Sequence, residues 1–317
     1  MGYRYLLPVR IRAKIRFEEN FTVKDYTAKL IKTLLLSGNP QLKNVLSKAK
    51  NIPPKPIHLT PLFKNENGRK KAIYSCLIPK NKTARPPKIR DIKPVKIRSN
   101  VEYIFYIGTT LDLLDEVLTG LSHIGYVQFG KGLVWIGRLS YDIEYIDVEK
   151  EVEKLLCYFT ETVVKGEGKI KIIFESPTLL KDPLALGRKK KKLLLPLPEA
   201  VFSVPYFMVM LSRGLYKTTF YLRSMRYIKS MFDLPYTVLK TVDLAWYVYD
   251  DRPLPALIGY VVYFIDYEML NHVQVMMSMK YGLDFLELFA KAMVLAQVYG
   301  VGDGRAAGFG HVSITNR

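Results

Sequence analysis

The sequence contains few of the residues that build disulfide frameworks and metal sites. Its 317 residues include two cysteines, Cys76 and Cys157, and four histidines. The cysteines do not form a CxxC pair, and the histidines are scattered without acidic residues at metal-ligand spacing. Neither a disulfide core nor a zinc site is therefore indicated, and a reducing cytoplasm is the expected compartment. We expect no metal and no other cofactor.

Long hydrophobic runs are also missing. The best candidates, Ala200–Leu211 and Ala292–Val301, are shorter than the roughly 18 to 20 apolar residues that a membrane-spanning helix needs. The first residues, Met1–Tyr5, lead into an alternating pattern and lack the apolar region of a signal peptide. We expect a soluble protein without a membrane partner.

Acidic residues are too few to balance the basic ones. The chain has 48 Lys and Arg against 29 Asp and Glu, a formal net charge of +19 and a pI of about 9.6. Such an excess favours a polyanionic partner, because neutralising phosphates releases condensed counterions and gives salt-sensitive affinity for nucleic acid. The alternative is a lysine-rich solvated surface of the kind that thermophilic proteins carry. Charge alone does not separate the two interpretations.

Hydrophobic periodicity predicts the order of elements in the first half. Apolar and basic residues alternate over Tyr3–Phe17, which predicts a strand. A helix follows, with a capping box at Thr22 and Asp25 and a stop at Ser37–Pro40. The remaining patterns predict a hairpin of Ile57–Phe63 and Lys71–Leu77, a strand over Val101–Ile107, a helix from Leu111 to Leu121, and strands over Tyr126–Phe129 and Leu133–Ile136.

This β-α-β-β-α-β order is that of the ferredoxin-like fold, an antiparallel sheet with two helices on one face. A charged helix over Val148–Thr162 reads as the junction to a second unit, which ends in strand Gly259–Asp266, a helix through Phe289 and a last strand over Val312–Ile314. The predicted fold class is α+β, with two tandem ferredoxin-like domains of the RAMP and RRM type, at residues 1–160 and 161–317.

A glycine-rich segment precedes the last strand. Five glycines stand between Tyr299 and His311, together with Arg305. Glycines let backbone N–H groups point at a phosphate, and Arg305 would add a charged donor. The alternative is that the glycines only form a tight connection between a helix and a strand. The segment follows a helix and lacks a Gly-Lys-Ser/Thr ending, so it is neither a dinucleotide nor a Walker motif.

The spacing G-x-G-x5-G-F-G resembles the C-terminal glycine-rich loop of the CRISPR repeat-processing endoribonucleases of the RAMP superfamily. In this sequence it comprises Gly300, Gly302, Gly308, Phe309 and Gly310. Three further segments are similar to the family in the same order along the chain: Lys55–Phe63, Phe174–Thr178 and Leu257–Tyr263. The resemblance implies tandem ferredoxin-like domains and metal-independent cleavage of precursor CRISPR RNA. It further implies attack of the ribose 2′-hydroxyl on the adjacent phosphate, which leaves a 2′,3′-cyclic phosphate.

Cleavage of this kind needs a proton acceptor, a proton donor and cations that stabilise the phosphorane. Family members that use a histidine carry it on or just after the first helix, a region that has no histidine here. Lysines can take its place, since an ammonium stabilises negative charge and an amine can exchange protons. The candidate catalytic residues are therefore Lys29, Lys32, Lys48, Lys50 and Lys55, with His58 in reserve. Solvated helix-surface lysines are the alternative.

Basic stretches provide candidate contacts to RNA. Two of them, Lys80–Arg98 and Arg188–Lys192, read as loops, and Tyr216–Phe232 interleaves cations with aromatic residues. The predicted RNA-binding residues are Arg188, Lys190, Arg223, Arg226, Gly302, Gly304, Arg305, Gly308 and Gly310. The expected partner is CRISPR repeat RNA, with effector-complex subunits or a second copy of the chain as further possible partners. The alternative function is that of a non-catalytic RAMP-type subunit that holds RNA in a CRISPR effector complex.

Overall fold

The computed structural model describes residues 4–46, 54–66, 68–77, 88, 92–130, 132–166, 168–185, 192–235, 241–249 and 252–316. The described chain is built around two seven-stranded sheets, each with its own hydrophobic core. The elements of the first half are β1 (Pro8–Phe17), β2 (Phe21–Val23), α1 (Ala28–Gly38), α2 (Lys43–Leu46), β3 (Ile57–Leu59), β4 (Leu62–Glu66), β5 (Arg69–Ile73), β6 (Cys76–Leu77), β7 (Ile92–Lys93), β8 (Val95–Ile97), β9 (Tyr103–Thr110), α3 (Leu114–Leu121), β10 (Gly125–Phe129) and β11 (Gly132–Tyr145).

The second half begins with a long helix and continues with a similar alternation of strands and helices. Its elements are α4 (Val148–Lys165), β12 (Lys169–Thr178), β13 (Leu180–Lys181), β14 (Lys192–Leu193), α5 (Pro198–Ser212), α6 (Thr218–Ser230), β15 (Phe232–Asp233), β16 (Val242–Tyr249), β17 (Arg252–Ile265), α7 (Tyr267–Tyr281), α8 (Phe285–Tyr299) and β18 (Val312–Asn316).

The first sheet has the ferredoxin-like strand order. Strand β1 lies between β11 and β9, β9 pairs with β3 and β4, and the pairs are antiparallel. Every second residue of β1 from Val9 to Phe17 is buried, because successive side chains point to opposite faces. Helices α1 and α3 cross closely on the buried face, where a Cβ at Gly38 would lie 2.4 Å from the carbonyl oxygen of Gly120. The predicted order of the first domain is confirmed.

The second sheet repeats the same order and recruits strands from the first half. Strand β12 lies between β18 and β17, and β17 pairs with β16. Beyond β16 the sheet continues with β6 and β7, where Trp246 and Tyr247 pair with Leu77 and Cys76. The α+β class with antiparallel sheets is confirmed, and the two ferredoxin-like units share a sheet that sequence periodicity did not predict.

Helix α8 lies at the centre of the molecule. It packs against α4 and α5 in the second core and against β1, β3 and β9 of the first domain. Strand β9 can approach it closely because a Cβ at Gly108 would lie 1.9 Å from the carbonyl oxygen of Val298. The domain junction is therefore packed in part backbone to backbone.

The structure bears on two predicted boundaries, the start of the first helix and the boundary between the domains. Thr22 lies in β2, where it pairs with Lys96, and α1 begins at Ala28 with Thr27 as an N-cap that makes no side-chain capping bond. The predicted capping box at Thr22 and Asp25 is therefore wrong. A domain boundary at residue 160 would fall inside α4, whose buried Val152 and Phe159 pack into the second core.

Candidate functional site

The glycine loop, residues 300–311, is wedged between the two domains. All five of its glycines have a positive φ, and most of its residues are buried. Gly308 shows why no other residue fits: at φ 99° its missing Cβ would lie 2.2 Å from the Cβ of Ala28 on α1. The Gly308 carbonyl accepts hydrogen bonds from Tyr26 Oη and Ser176 Oγ, one from each domain. The loop therefore joins α1 to β12.

Backbone N–H groups of the loop donate mainly to protein carbonyls. Asp303 N donates to Leu179 O at 2.8 Å, Gly310 N to Pro177 O at 3.0 Å, and Val301 N to Gly310 O at 2.8 Å. The predicted phosphate contacts of Gly304, Gly308 and Gly310 do not follow from this geometry, because positive φ and close packing account for these glycines. Gly302 is buried too, but it also lines a surface pocket.

Arg305 is a buried cation that ties the loop to the first domain. Its Nη1 donates to the carbonyl oxygen of Tyr299 at 2.9 Å and its Nη2 to that of Lys55 at 3.3 Å. Only 6% of the residue is exposed, and burial lowers its pKa to about 10, so it stays charged at neutral pH. The guanidinium points into the protein, and a contact of Arg305 with an RNA phosphate stays a prediction.

Two of the predicted catalytic lysines meet at one acceptor. Lys55 Nζ donates to the carbonyl oxygen of Leu46 at 2.8 Å, and Lys32 Nζ approaches the same oxygen at 3.4 Å. Both residues are half-buried. The backbone of Lys55 is held by Arg305, so the lysine pair lies next to the glycine loop. The structure thus places Lys32 and Lys55 close to Arg305.

Lys29 is on the same helix but makes different contacts. Its ammonium group pairs with Asp25 and lies 4.9 Å from the ring centroid of Tyr249 in the second domain. This cation–π contact links α1 to β16 and gives Lys29 a role at the domain junction. Lys48 and Lys50 lie outside the described residues, as do Arg188 and Lys190.

A buried pair of histidines joins the glycine loop to the first domain, His311 from the loop and His58 from β3. His58 Nδ1 is 3.1 Å from the carbonyl oxygen of Arg305, which can only accept, so this nitrogen carries the proton. His58 Nε2 then accepts from His311 Nδ1 at 3.3 Å. His311 Nε2 lies 3.4 Å from Glu175 Oε2, and its ring stacks on Tyr106 at 5.4 Å. These contacts connect the glycine loop to Glu175 on β12 and to Tyr106 on β9.

Burial keeps both imidazoles neutral. Desolvation lowers the pKa of His58 well below its ordinary value, and the neighbouring His311 and Arg305 lower it further. Burial also lowers the pKa of His311 to about 4, an effect that Glu175 partly offsets. His58 has no exposed surface. It is therefore not placed to exchange a proton with RNA, contrary to its prediction as a reserve catalytic residue.

The two predicted RNA-binding arginines of the second domain lie on α6. Arg223 donates to Tyr281 Oη on α7 and is half-buried, whereas Arg226 is exposed. Helix α6 packs on α5, in the helical layer of the second domain, and the lysine pair belongs to the first domain. Within the described ranges, no group of three or more His, Cys, Asp or Glu side chains could hold a metal ion. No helix in the described part of the chain is long and apolar enough to cross a membrane.

This architecture is similar to that of several solved structures. A Cas6 product complex superposes with a TM-score of 0.58 over 98% of this chain and 99% of that chain, at 14% identity. Cas6 from Thermus thermophilus gives a TM-score of 0.55 at 13% identity and covers 98% of both chains. The chain has the Cas6 fold. A RAMP protein that binds different RNA substrates matches this Cas6 fold with a TM-score of 0.50 at 9% identity, over 98% of this chain and 99% of that chain. No protein-family model and no curated protein matches the sequence.

The sequence interpretation missed several residues of the junction. Glu175 and Tyr106 lie against the ring of His311, and Tyr299 accepts from Arg305 through its carbonyl and donates to the backbone of Tyr5 at 3.2 Å. Ser176 lies in the Phe174–Thr178 turn and accepts from the N–H of His311 at 2.9 Å. The similarity of Phe174–Thr178 to the family is the sequence signal that could have indicated its contact with the glycine loop.

Proposed function

We propose that this chain is a Cas6-type endoribonuclease that binds CRISPR repeat RNA and cuts it without a metal ion. The proposal rests on one observation above all, the convergence of Lys32 and Lys55 on the Leu46 carbonyl beside the glycine loop. The Cas6 fold and the net charge of +19 support it. Two lysine side chains at one point can bind a phosphate, and a protonated one stabilises the extra negative charge of a pentavalent phosphorane.

In the proposed reaction the 2′-hydroxyl oxygen forms a bond to the adjacent phosphorus, and the bond from phosphorus to the 5′-oxygen breaks. One lysine of the pair, as the amine, accepts the 2′-hydroxyl proton, and the other, as the ammonium, donates a proton to the leaving 5′-oxygen. The products are a 2′,3′-cyclic phosphate and a 5′-hydroxyl. The proton count is unchanged, because the two lysines exchange protonation states in one turnover.

The buried groups have a positioning role in this proposal. Arg305 fixes the backbone of Lys55, and His58 fixes the carbonyl of Arg305. The reach of the Lys55 ammonium group therefore depends on the glycine loop. A misplacement of about 1 Å can reduce a rate by roughly a hundredfold, so rigid support of this kind is what catalysis needs.

The test is cleavage of repeat RNA in EDTA, with normal RNA and with RNA carrying a single 2′-deoxy substitution at each position. We expect one substitution to abolish cleavage. Lys55→Met and Lys32→Met should each lower the cleavage rate by about 10²- to 10⁴-fold, whereas Lys43→Met, at an exposed lysine of α2, should leave it unchanged. Cleavage that EDTA stops, or that no 2′-deoxy substitution affects, would contradict the proposed reaction.

The second candidate function is a non-catalytic RAMP-type subunit that holds guide RNA in a CRISPR effector complex. It is favoured by the absence of a histidine from the first helix region and by the burial of His58, the next histidine along the chain. Tight, salt-sensitive binding of repeat RNA without cleavage would support this function. Effector-complex subunits and a second copy of the chain remain predicted partners under either function.

A further inference from the structure

A small pocket opens on the second domain next to the glycine loop. It has a volume of about 200 Å³ and is lined by Lys181, Phe207, Tyr216, Tyr221, Gly302 and Asp303, among others. Sites for drug-sized ligands usually enclose about 300 Å³ or more, so this pocket suits one flat ring system. The histidine pair, Arg305 and the lysine pair do not line it.

One wall of the pocket is aromatic. The Phe207 and Tyr216 rings are 4.6 Å apart and nearly perpendicular at 82°, and Tyr221 lies edge-on to Phe207 at 5.6 Å. Tyr221 is buried and donates to the carbonyl of Ser203 at 3.2 Å, so it fixes the position of Phe207. Tyr216 is 41% exposed. A rigid wall that presents a solvent-accessible ring is a stacking platform for a base.

A second wall of the pocket is polar and is formed by Asp303 of the glycine loop and Lys181 of β13. Asp303 Oδ2 pairs with Lys181 Nζ at 2.5 Å, and both side chains are about half exposed. The backbone of Asp303 is fixed by its hydrogen bond to Leu179. This wall offers a carboxylate acceptor beside an ammonium donor. A carboxylate accepts from the exocyclic amino group of a base, as Asp and Glu do with cytosine.

We propose that this pocket binds one unpaired nucleobase of the RNA, stacked on Tyr216 with its amino group donating to Asp303. The inference rests on the proposed function, because it requires that the chain binds RNA. Adenine, cytosine and guanine carry the amino group and uracil does not, so uracil is the poorest occupant. The occupied position would be a nucleotide that does not pair within the repeat. Its base would set the register of the RNA next to the lysine pair, since Asp303 and Arg305 belong to the same loop.

The test measures RNA affinity for wild type and Tyr216→Leu against repeat RNAs with one abasic nucleotide at each position. Removal of a stacked base costs about 5- to 150-fold in affinity. We expect one abasic position to weaken wild-type binding in this range and to have little further effect on Tyr216→Leu. Tyr216→Phe keeps the ring and should bind like wild type, which separates stacking from misfolding.

Two other outcomes are informative. If the losses from Tyr216→Leu and from each abasic position multiply independently, the pocket does not hold a base, although the proposed function stands. If wild type shows no salt-sensitive affinity for repeat RNA, both the pocket inference and the proposed function are overturned.

Uracil at the abasic-sensitive position should weaken wild-type binding relative to the other three bases. We expect Asp303→Asn to reduce this difference in affinity and Lys43→Met to leave it unchanged.

Discussion

The half of the glycine loop from residue 305 to residue 311 lies inside the protein, whereas the half from residue 301 to residue 304 reaches the surface at Asp303. Both halves contain glycines with positive φ. The inner half holds Arg305 and His311, and its polar groups bond to the first domain and to β12. The outer half lines a pocket. Glycine spacing alone thus does not say whether a loop binds a ligand or seals a domain junction, because the neighbouring residues decide it.

Because the inner half is buried, we expect the largest loss of stability among these loop variants when Arg305 is replaced. Arg305→Met removes the donor from the buried carbonyl of Tyr299 and from the partly buried carbonyl of Lys55. Each unsatisfied buried acceptor costs about 1–3 kcal/mol, so we expect the free energy of unfolding to fall by about 4 kcal/mol. Denaturant unfolding measures this loss. A change below about 1 kcal/mol would show that the inner half does not hold the domains together.

Gly308→Ala tests the close packing of the inner half. The new Cβ would contact Ala28 and Tyr26 on the first domain, and the backbone would be strained at φ 99°. We expect a loss of about 3 kcal/mol in the free energy of unfolding. Gly282→Ala is the matched control, since Gly282 has φ 63° and open space around its missing Cβ. It should cost about 1 kcal/mol, from backbone strain alone. Equal losses in the two variants would contradict a packing role for Gly308.

Acid should weaken the inner half through its histidines. Burial holds the pKa of His58 well below its ordinary value and that of His311 at about 4. Between pH 6.5 and 4 the unfolded chain therefore binds more protons than the folded chain, so stability falls as the pH falls. His311 alone should account for about 2 kcal/mol between pH 6.5 and 4.5.

The measurement is the free energy of unfolding as a function of pH for wild type, His311→Gln and His272→Gln. His311→Gln should reduce the slope between pH 6.5 and 4.5. His272 is exposed on α7, so its substitution should leave the slope unchanged. Glu175, Arg10 and Lys70 also shift the pKa of His311. The slope that remains in His311→Gln comes from titrating groups other than this imidazole. An unchanged slope in His311→Gln would mean that this imidazole titrates normally.

The smallest effect on stability is expected in the outer half. Asp303→Asn removes an ion pair with Lys181 whose partners are both about half exposed. Pairs of this kind contribute about 0–1 kcal/mol, and thermal unfolding should detect little change. A loss comparable to that of Arg305→Met would show that the outer half is structural as well, and would weaken the case for a base-binding pocket.

The order of strands and helices in the first domain could be predicted because alternation and helical spacing are local signals. The β1 pattern from Val9 to Phe17 is one example. The pairing of β6 with β16 could not be predicted, since two-residue contacts between Cys76–Leu77 and Trp246–Tyr247 leave no periodic signal. The start of α1 was misplaced because Thr22 hydrogen-bonds across to β8, a contact that overrides its capping preference.

The candidate site was predictable in part. Lys32 and Lys55 were identified from their place in the chain, and the structure brings them together at Leu46. The roles of Arg305 and His58 were not predictable, because burial by a distant segment decides both. The guanidinium donates to the carbonyls of Tyr299 and Lys55 inside the protein, and the sequence does not show which carbonyls it meets.

The contact between Arg305 and Lys55 also has a consequence for biosynthesis. The two residues are 250 positions apart, so Lys32 and Lys55 leave the ribosome long before the guanidinium that fixes the backbone of Lys55. At about 5–20 residues per second the delay is on the order of 10–50 s. A nascent chain that has formed only its first sheet therefore has its lysines without their support. Under the proposed function, an unfinished chain could meet RNA during translation without cutting it.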